Sequence, residues 1–268
     1  MKQEGGMGYS FIKLSRENQV GRIILNRPEA HNAINPELLA ELTQAIGELR
    51  DSPDIKAVVV TGEGEAFCSG TDLKFLQKAM TRDMSLVFEF GQNFGTMIAA
   101  LDELPVPTIA MVNGFTFAAG IELMLACDMI VAAEDAKIGD QHMNRGTIGG
   151  PVMWQLPRRI GLQKAMEVVL TGKWLSGKEA ERYGIVLRAV PRERLEAEVE
   201  AILAQIRNKS LPLLKLAKKV LRQASVMSNL TEAVKYVTAE WGEHQAPQAG
   251  LKQGVAQFVE QREARPKQ

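Results

Sequence analysis

Three short runs constrain the fold most: AVVVT at 57–61, TIAMV at 108–112 and MIVAA at 129–133. A half-buried strand alternates apolar and polar residues, whereas a continuously apolar run bounded by turns is buried on both faces. The segments between these runs carry helical apolar spacing. Strands alternating with helices in this way imply an α/β fold with parallel crossovers. Asn35-Pro36-Glu37 opens one helix, with Asn35 as its N-cap and Pro36 at the first helical position. Leu38, Leu39, Leu42, Ile46 and Leu49 mark its apolar face. Residues 85–103 read as a second long helix, closed by Pro105-Val106-Pro107, and residues 118–127 have helix composition. Ahead of these, 9–14 and 20–25 read as paired strands around a turn at 15–19.

Beyond Lys164 the pattern is mostly helical, over 164–170, 177–183, 192–208, 211–225, 230–242 and 252–264, with a strand at 185–190. The expected organisation is an α/β core over 1–195 and a C-terminal helical region over 196–268. Composition removes several alternatives. The 268 residues balance 32 Lys+Arg against 32 Asp+Glu, which disfavours a dedicated nucleic-acid binder. The 46% hydrophobic content disfavours disorder. Cys68 and Cys127 cannot build a disulfide framework, so a reducing compartment is expected. MKQEGGMGYSFIKLS lacks a signal-peptide apolar region and no run is long enough to cross a bilayer, so the chain reads as cytoplasmic. His31, His142 and His244 are the only histidines; without HxH, HExxH or CxxC spacing no metal site is expected. Lys209, Lys215, Lys218, Lys219 and Arg222 form a basic stretch. It reads as an anionic-surface or RNA contact, or, given the interleaved Leu213, Leu214, Leu216 and Val220, as an amphipathic helix at a subunit contact; the second reading is favoured.

Two strand–turn–helix junctions could carry chemistry: AFCSGTDLK at 66–74 and VNGFTFAAGIE at 112–122. Backbone N–H groups at a helix start are unpaired, and the helix dipole favours negative charge there. Two such junctions can aim two N–H groups at one oxygen, as an oxyanion hole does. Taken alone, the same residues read slightly better as ordinary Gly-rich turns of an α/β fold. Glu122 is either an exposed helix charge or, given its neighbours Ile121, Leu123, Met124 and Leu125, a carboxyl held against apolar walls with a raised pKa. The second reading is favoured.

Four segments in order sharpen this: LNRPEAHNAIN at 25–35, AFCSGTDLK at 66–74, PTIAMVNGFTFAAGIELMLACDMIVAAEDAKIG at 107–139 and LTGKWLSGKEAERYGIV at 170–186. Through them the chain resembles the crotonase (enoyl-CoA hydratase/isomerase) superfamily from about residue 10 to 190. The resemblance implies a crotonase-like spiral of ββα repeats, with a C-terminal helical region for oligomerisation and active-site cover. It also implies a homotrimer or homohexamer and an acyl-CoA substrate of fatty acid metabolism. Coenzyme A would enter as part of the thioester, with no separate cofactor. The thioester oxygen would be held by the backbone N–H groups of Thr71 and Ala119. Position 119 is commonly Gly in the family; Ala keeps the N–H and suits a helical backbone. The segments matching the CoA-ester-binding loops contain Arg27, Ala30 and His31, then Ala66, Gly70, Asp72, Leu73 and Lys74, with Gly120 beside the second N–H. Each cation among them reads otherwise as a surface charge. Phe258 matches C-terminal aromatics that pack on the nucleotide end, although Gly250-Leu251-Lys252 replaces the family's acidic residues ahead of it.

Hydratases of the family use two glutamates. Glu122 matches the first, and His142, in GDQH at 139–142, stands where the second would be. Its unperturbed pKa near neutrality lets an imidazole act as acid or base. His142 therefore reads as the catalytic partner of Glu122, or as a polar residue of the acyl pocket; Asp140, Asn144 and Arg145 are further polar candidates. The implied enzyme is a lyase hydrating an enoyl-CoA to a 3-hydroxyacyl-CoA. The alternatives are an enoyl-CoA isomerase, an acyl-CoA or C–C hydrolase, or a CoA-ester-binding homologue with little hydratase activity. The segment Gly149-Gly150-Pro151 departs from the family's small-residue run and is expected to form a reshaped loop. Trp154, Trp174 and Trp241 are expected in the core or an interface, and both cysteines in buried packing.

Overall fold

The computed structural model describes residues 8–243, 251–252, 254–256 and 258–260. By its contacts the chain forms two compact units, Met1–Ala204 and Gln205–Gln268. The first is built on two sheets. Strands β1 (Ile12–Glu17) and β2 (Val20–Leu25) form an antiparallel hairpin. Its turn is only Asn18 and Gln19, both left-handed (φ 51° and 65°), the geometry that matches the twist of a two-residue hairpin. The expected turn at 15–19 is thus too long. β2 continues in parallel through β3 (Ala57–Gly62), β5 (Thr108–Val112), β7 (Met129–Ala133) and β10 (Arg188–Val190). β3 and β5 are buried along their whole length.

The second sheet holds β4 (Ala66–Cys68), β6 (Phe115–Phe117) and β8 (Lys137–Gly139) in parallel, with β9 (Trp174–Ser176) antiparallel on β8. None of these four has a sequence pattern that sets it apart, because three residues are too few to display a period. The chain alternates between the sheets: β3 then β4, β5 then β6, β7 then β8. Each pair leads to helix, namely α2 (Leu73–Arg82), α4 (Ala119–Leu125) and, after a loop, α5 (Pro151–Ile160). This is the spiral of ββα repeats.

The remaining helices of this unit are α1 (Pro36–Arg50), α3 (Ser85–Asp102), α6 (Leu162–Thr171) and α7 (Gly177–Tyr183), with α8 (Leu195–Arg207) running across the unit boundary. α1 starts as its sequence dictates: the Asn35 side chain accepts the Leu38 N–H at 2.9 Å, and Leu38, Leu39, Leu42, Ile46 and Leu49 are buried. Four expectations need correction. The reshaped loop at Gly150-Pro151 is the start of α5, with Pro151 at its first position. The strand at 185–190 shortens to Arg188–Val190, and the helix at 192–208 begins with a separate 3-10 turn over Arg192–Arg194. Of the two readings of the tryptophans, core or interface, the core one falls: Trp154, Trp174 and Trp241 are each about half exposed on this chain.

The second unit contains α9 (Leu211–Ala224) and α10 (Leu230–Glu243). Lys219 on α9 pairs with Glu240 on α10 at 2.7 Å, and Lys218 is buried. The basic stretch is therefore partly consumed by helix packing and does not form one solvent-facing cationic row. The expected helix at 252–264 is helical at 251–252, 254–256 and 258–260, and its other residues lie outside the described ones. Among the described residues, no helix is long and apolar enough to cross a membrane.

Candidate active site

The site forms where the three parallel strands of the second sheet end. Ligands of parallel sheets characteristically sit at the carboxyl ends of strands. Because β4, β6 and β8 are neighbours, the residues after them emerge side by side: Gly70 and Thr71, Ala118 and Ala119, Asp140 to His142. The Ala118 N–H donates to Gly139 O at 3.4 Å, joining the second segment to the third. A Cβ at Gly70 would lie 3.0 Å from Ala118 Cβ and 3.5 Å from Ala119 N, so the first two segments are in contact. Gly70 itself has φ +105°, a backbone that disfavours a side chain.

Local geometry frees the two N–H groups. Thr71 forms a parallel bridge with Ile34 in which Ile34 N–H donates to Gly70 O (2.8 Å) and Asp72 N–H donates to Ile34 O (2.9 Å). In that pattern the N–H of the central residue, Thr71, points away from the strand it is bridged to. Ala119 opens α4, so its N–H has no intrahelical acceptor. The preceding Ala118 has φ 49° and ψ −120°, a conformation rare for a residue with a Cβ and one that costs about 1–3 kcal/mol. Ala119 is helical, the conformation that accommodates Ala in place of Gly. Gly120 is required: a Cβ there would meet Cys68 O at 2.0 Å, because the first turn of α4 rests on the end of β4.

Glu122 lies in the same first turn and is 2% exposed. Its Oε1 accepts the Val152 N–H at 3.1 Å from the start of α5, and Gln155 Nε2 donates to its backbone oxygen at 3.3 Å. Burial pushes the Glu122 pKa up to about 7, against the His142 charge and the N–H groups of Val152 and Gly150, which favour the carboxylate. His142 faces it: a methyl group on Gly149 would lie 2.9 Å from both Glu122 Oε1 and His142 Nδ1. Nδ1 of His142 is hydrogen-bonded to Oδ1 of Asp140, whose side chain is fully buried. Burial pulls the His142 pKa down, but the hydrogen bond and charge of Asp140, with the charge of Glu122, raise it above the ordinary value. A carboxyl whose pKa is raised to about 7 and an imidazole whose pKa is raised, facing each other across one glycine, can take up one proton and deliver another in the same cycle.

A second constellation runs alongside. The loop holding Ala30 and His31 lies against the β4–α2 loop: Ser69 N–H donates to His31 O at 3.0 Å, and Ser69 Oγ donates to Ala30 O at 3.4 Å. Buried Asn32 (φ 56°) fixes this arrangement by donating to Ala66 O (2.7 Å) and Glu63 O (3.0 Å) while accepting Arg27 N–H. Arg27 is directed inward. Its guanidinium donates to Ala33 O at 2.5 Å and pairs with Asp72 Oδ2 at 3.1 Å, with Phe11 beneath it. Asp72 also caps α2 by accepting Lys74 N–H and Phe75 N–H. Burial pushes the Asp72 pKa up, but those N–H groups and Arg27 outweigh it and hold the carboxyl below the usual range. Leu73 and Lys74 are exposed, as is His31, whose ring lies edge-on to Phe115. Phe258 belongs to the second unit and is exposed.

Sequence reasoning missed Asn32 and Gln155, and took Gly149 only as part of a departing segment. Asn32 has a faint signal, a polar residue set among small ones in AHNAIN; Gln155 has none. Cys68 and Cys127 are both buried and not joined in a disulfide, and burial pushes the Cys68 thiol up to about 12, which fits packing and not nucleophilic chemistry. Among the described residues, no group of three or more His, Cys, Asp or Glu side chains could hold a metal ion.

The chain matches the family model described as enoyl-CoA hydratase/isomerase over residues 15–268. It is 36% identical over 257 residues to a Mycobacterium tuberculosis protein named "Probable enoyl-CoA hydratase echA8", covering 96% of this chain and 97% of that one. It is 31% identical over 260 residues to a crotonyl-CoA hydratase from Syntrophomonas wolfei, covering 96% and 98%. A crystal structure of subunit I of the enoyl-CoA hydratase from Geobacillus kaustophilus superimposes with a TM-score of 0.85 at 31% identity, covering 97% of this chain and 98% of that one. With the family model spanning nearly the whole sequence and the same fold in a relative of that identity, the chain belongs to the enoyl-CoA hydratase/isomerase family.

Proposed function

We propose that the chain hydrates a 2-enoyl-CoA to a 3-hydroxyacyl-CoA, with Glu122 and His142 as its acid–base pair and the N–H groups of Thr71 and Ala119 as its oxyanion hole. The observation that carries the reading is the meeting of Glu122 and His142 across Gly149, at the same strand ends that present the two N–H groups. Electrostatics supports a division of labour. Glu122 accepts a backbone N–H, which favours its carboxylate and suits it as base; Asp140 favours the imidazolium of His142 and suits it as acid.

The water oxygen adds to the β-carbon as Glu122 takes its proton. The double-bond electrons move onto the thioester oxygen, where two preorganised donors, worth about 3–4 kcal/mol each, hold the enolate. His142 then protonates the α-carbon, and the carbonyl re-forms. Transfer of the proton from Glu122 to His142 resets the pair. Coenzyme A enters as part of the substrate, along the loops of Ala30, His31, Ala66, Gly70 and Lys74, with Gly120 beside the oxyanion. Arg27 and Asp72 brace those loops from within, and Leu73 presents an apolar surface there.

The same reading makes the protein a cytoplasmic homotrimer or homohexamer. The buried cysteines, not joined in a disulfide, and the half-exposed Trp154 and Trp174 support it. The functional test mixes purified protein with crotonyl-CoA and longer enoyl-CoAs and follows the absorbance of the conjugated thioester. Its loss, with formation of the 3-hydroxyacyl-CoA, is expected. Release of free thiol would assign hydrolysis, and migration of the double bond isomerisation. Binding of the CoA ester without turnover would leave a binding homologue.

A further inference from the structure

Asp140 is a buried carboxylate with an unusually narrow set of partners. Its Oδ1 accepts the backbone N–H of His142 at 3.4 Å and is hydrogen-bonded to the Nδ1 of the same residue. Its Oδ2 is buried without a partner. Among the described residues, therefore, the side-chain hydrogen bonds of Asp140 all go to His142. A carboxylate that stapled the fold would tie two elements together; this one addresses a single ring.

An ionised carboxylate only accepts hydrogen bonds, so the ring nitrogen facing it must carry the proton. From this geometry we infer that Asp140 is a positioning residue: it holds a proton on Nδ1 of His142 and thereby makes Nε2 the atom that exchanges protons with the substrate. The inference deepens the Glu122–His142 reading and rests on it for the identity of the reaction, but not for the state of the ring. The charged groups facing His142 are Asp140 beside it in the chain, Glu122 on α4 and Arg145 on the following turn. Asp140 and Glu122 favour the imidazolium, and Arg145 opposes it.

Asp140→Asn tests this with little disturbance, because an Asn oxygen can still accept the His142 N–H and keep the turn. The first readout is the nitrogen-15 spectrum of the histidine rings across pH. With three histidines in the chain, comparison with His142→Gln assigns the signal. The wild-type neutral ring is expected in the Nδ1–H form, and in Asp140→Asn its titration moves to lower pH. The second readout is the pH profile of kcat/KM with an enoyl-CoA. Its alkaline limb moves to lower pH in Asp140→Asn, and kcat falls more than KM rises. A neutral wild-type ring in the Nε2–H form overturns the proposal even if the variant does not fold. An unmoved titration in a folded variant overturns it as well. The ring readouts need no turnover, so an inactive protein with the expected spectra would remove the hydratase reading and leave the positioning role standing.

Discussion

The two sheets of the first unit divide labour. The larger one, β1-β2-β3-β5-β7-β10, has long strands, and its central β3 and β5 are buried throughout. The smaller one, β4-β6-β8-β9, is made of three-residue strands. Yet all of the proposed chemistry leaves from the ends of the smaller sheet. The large sheet buries apolar area and sets stability; the small one is a short ruler that spaces three loops. A catalytic surface built this way needs few residues of its own, because its rigidity is borrowed from the layer to which each strand is connected.

The comparison breaks if the two roles cannot be separated by mutation. The largest effect is expected at the site. Glu122→Gln should lower kcat for enoyl-CoA hydration about 10²–10⁴-fold, the range of general acid–base catalysis. It should leave the unfolding transition in place or raise it, since it removes an ionisable group from a buried position. A variant that keeps turnover would move the base elsewhere. Ile109→Ala on fully buried β5 should do the opposite. Denaturant unfolding should register a loss of about 2–5 kcal/mol, with kcat little changed well below the transition. Equal loss of activity and stability would show that the sheets do not divide labour.

The pH dependence sharpens the contrast. The Glu122 pKa is raised from 4.5 to about 7 on folding. Between those values the unfolded chain has lost the proton while the folded chain keeps it. The stability contributed by the protonated group is thus full below pH 4.5 and is lost as the pH rises toward 7. Denaturant unfolding of wild type against Glu122→Gln over that window should diverge by an amount on the order of 2–3 kcal/mol, the variant gaining as pH rises. A constant difference would mean that the carboxyl is not held neutral. The smallest effect belongs to an element remote from the chemistry. Asn35→Ala deletes the cap of α1 and should cost about 1 kcal/mol in unfolding free energy, with kcat unchanged.

Legibility in the sequence followed the same division. β3, β5 and β7 stand out because four or five consecutive apolar residues are costly to place at a surface. α1 announces itself through Asn35, Pro36 and its leucines. The small sheet did not, since FTF and KIG carry no period that separates strand from turn. α5 was hidden by the Gly150-Pro151 start and by Pro157 within it. Within the site, Glu122 and His142 were picked out by resemblance, and the apolar neighbours of Glu122 foretold its burial. Asp140 was only one polar candidate of several, and Arg27, read as a CoA-ester-binding residue or a surface charge, is directed inward onto Asp72.

What the sequence by itself determined was the family, the alternation of strand and helix, and the residue types at the proposed reacting positions. These depend on local composition and on the order of motifs, both of which a linear chain displays. Tertiary structure alone decided which groups meet. Glu122 and Val152 are 30 positions apart and Asn32 and Ala66 are 34, and no local pattern encodes such pairings. They exist because the spiral lays the ends of β4, β6 and β8 side by side, and burial there sets the proton affinities on which the chemistry depends.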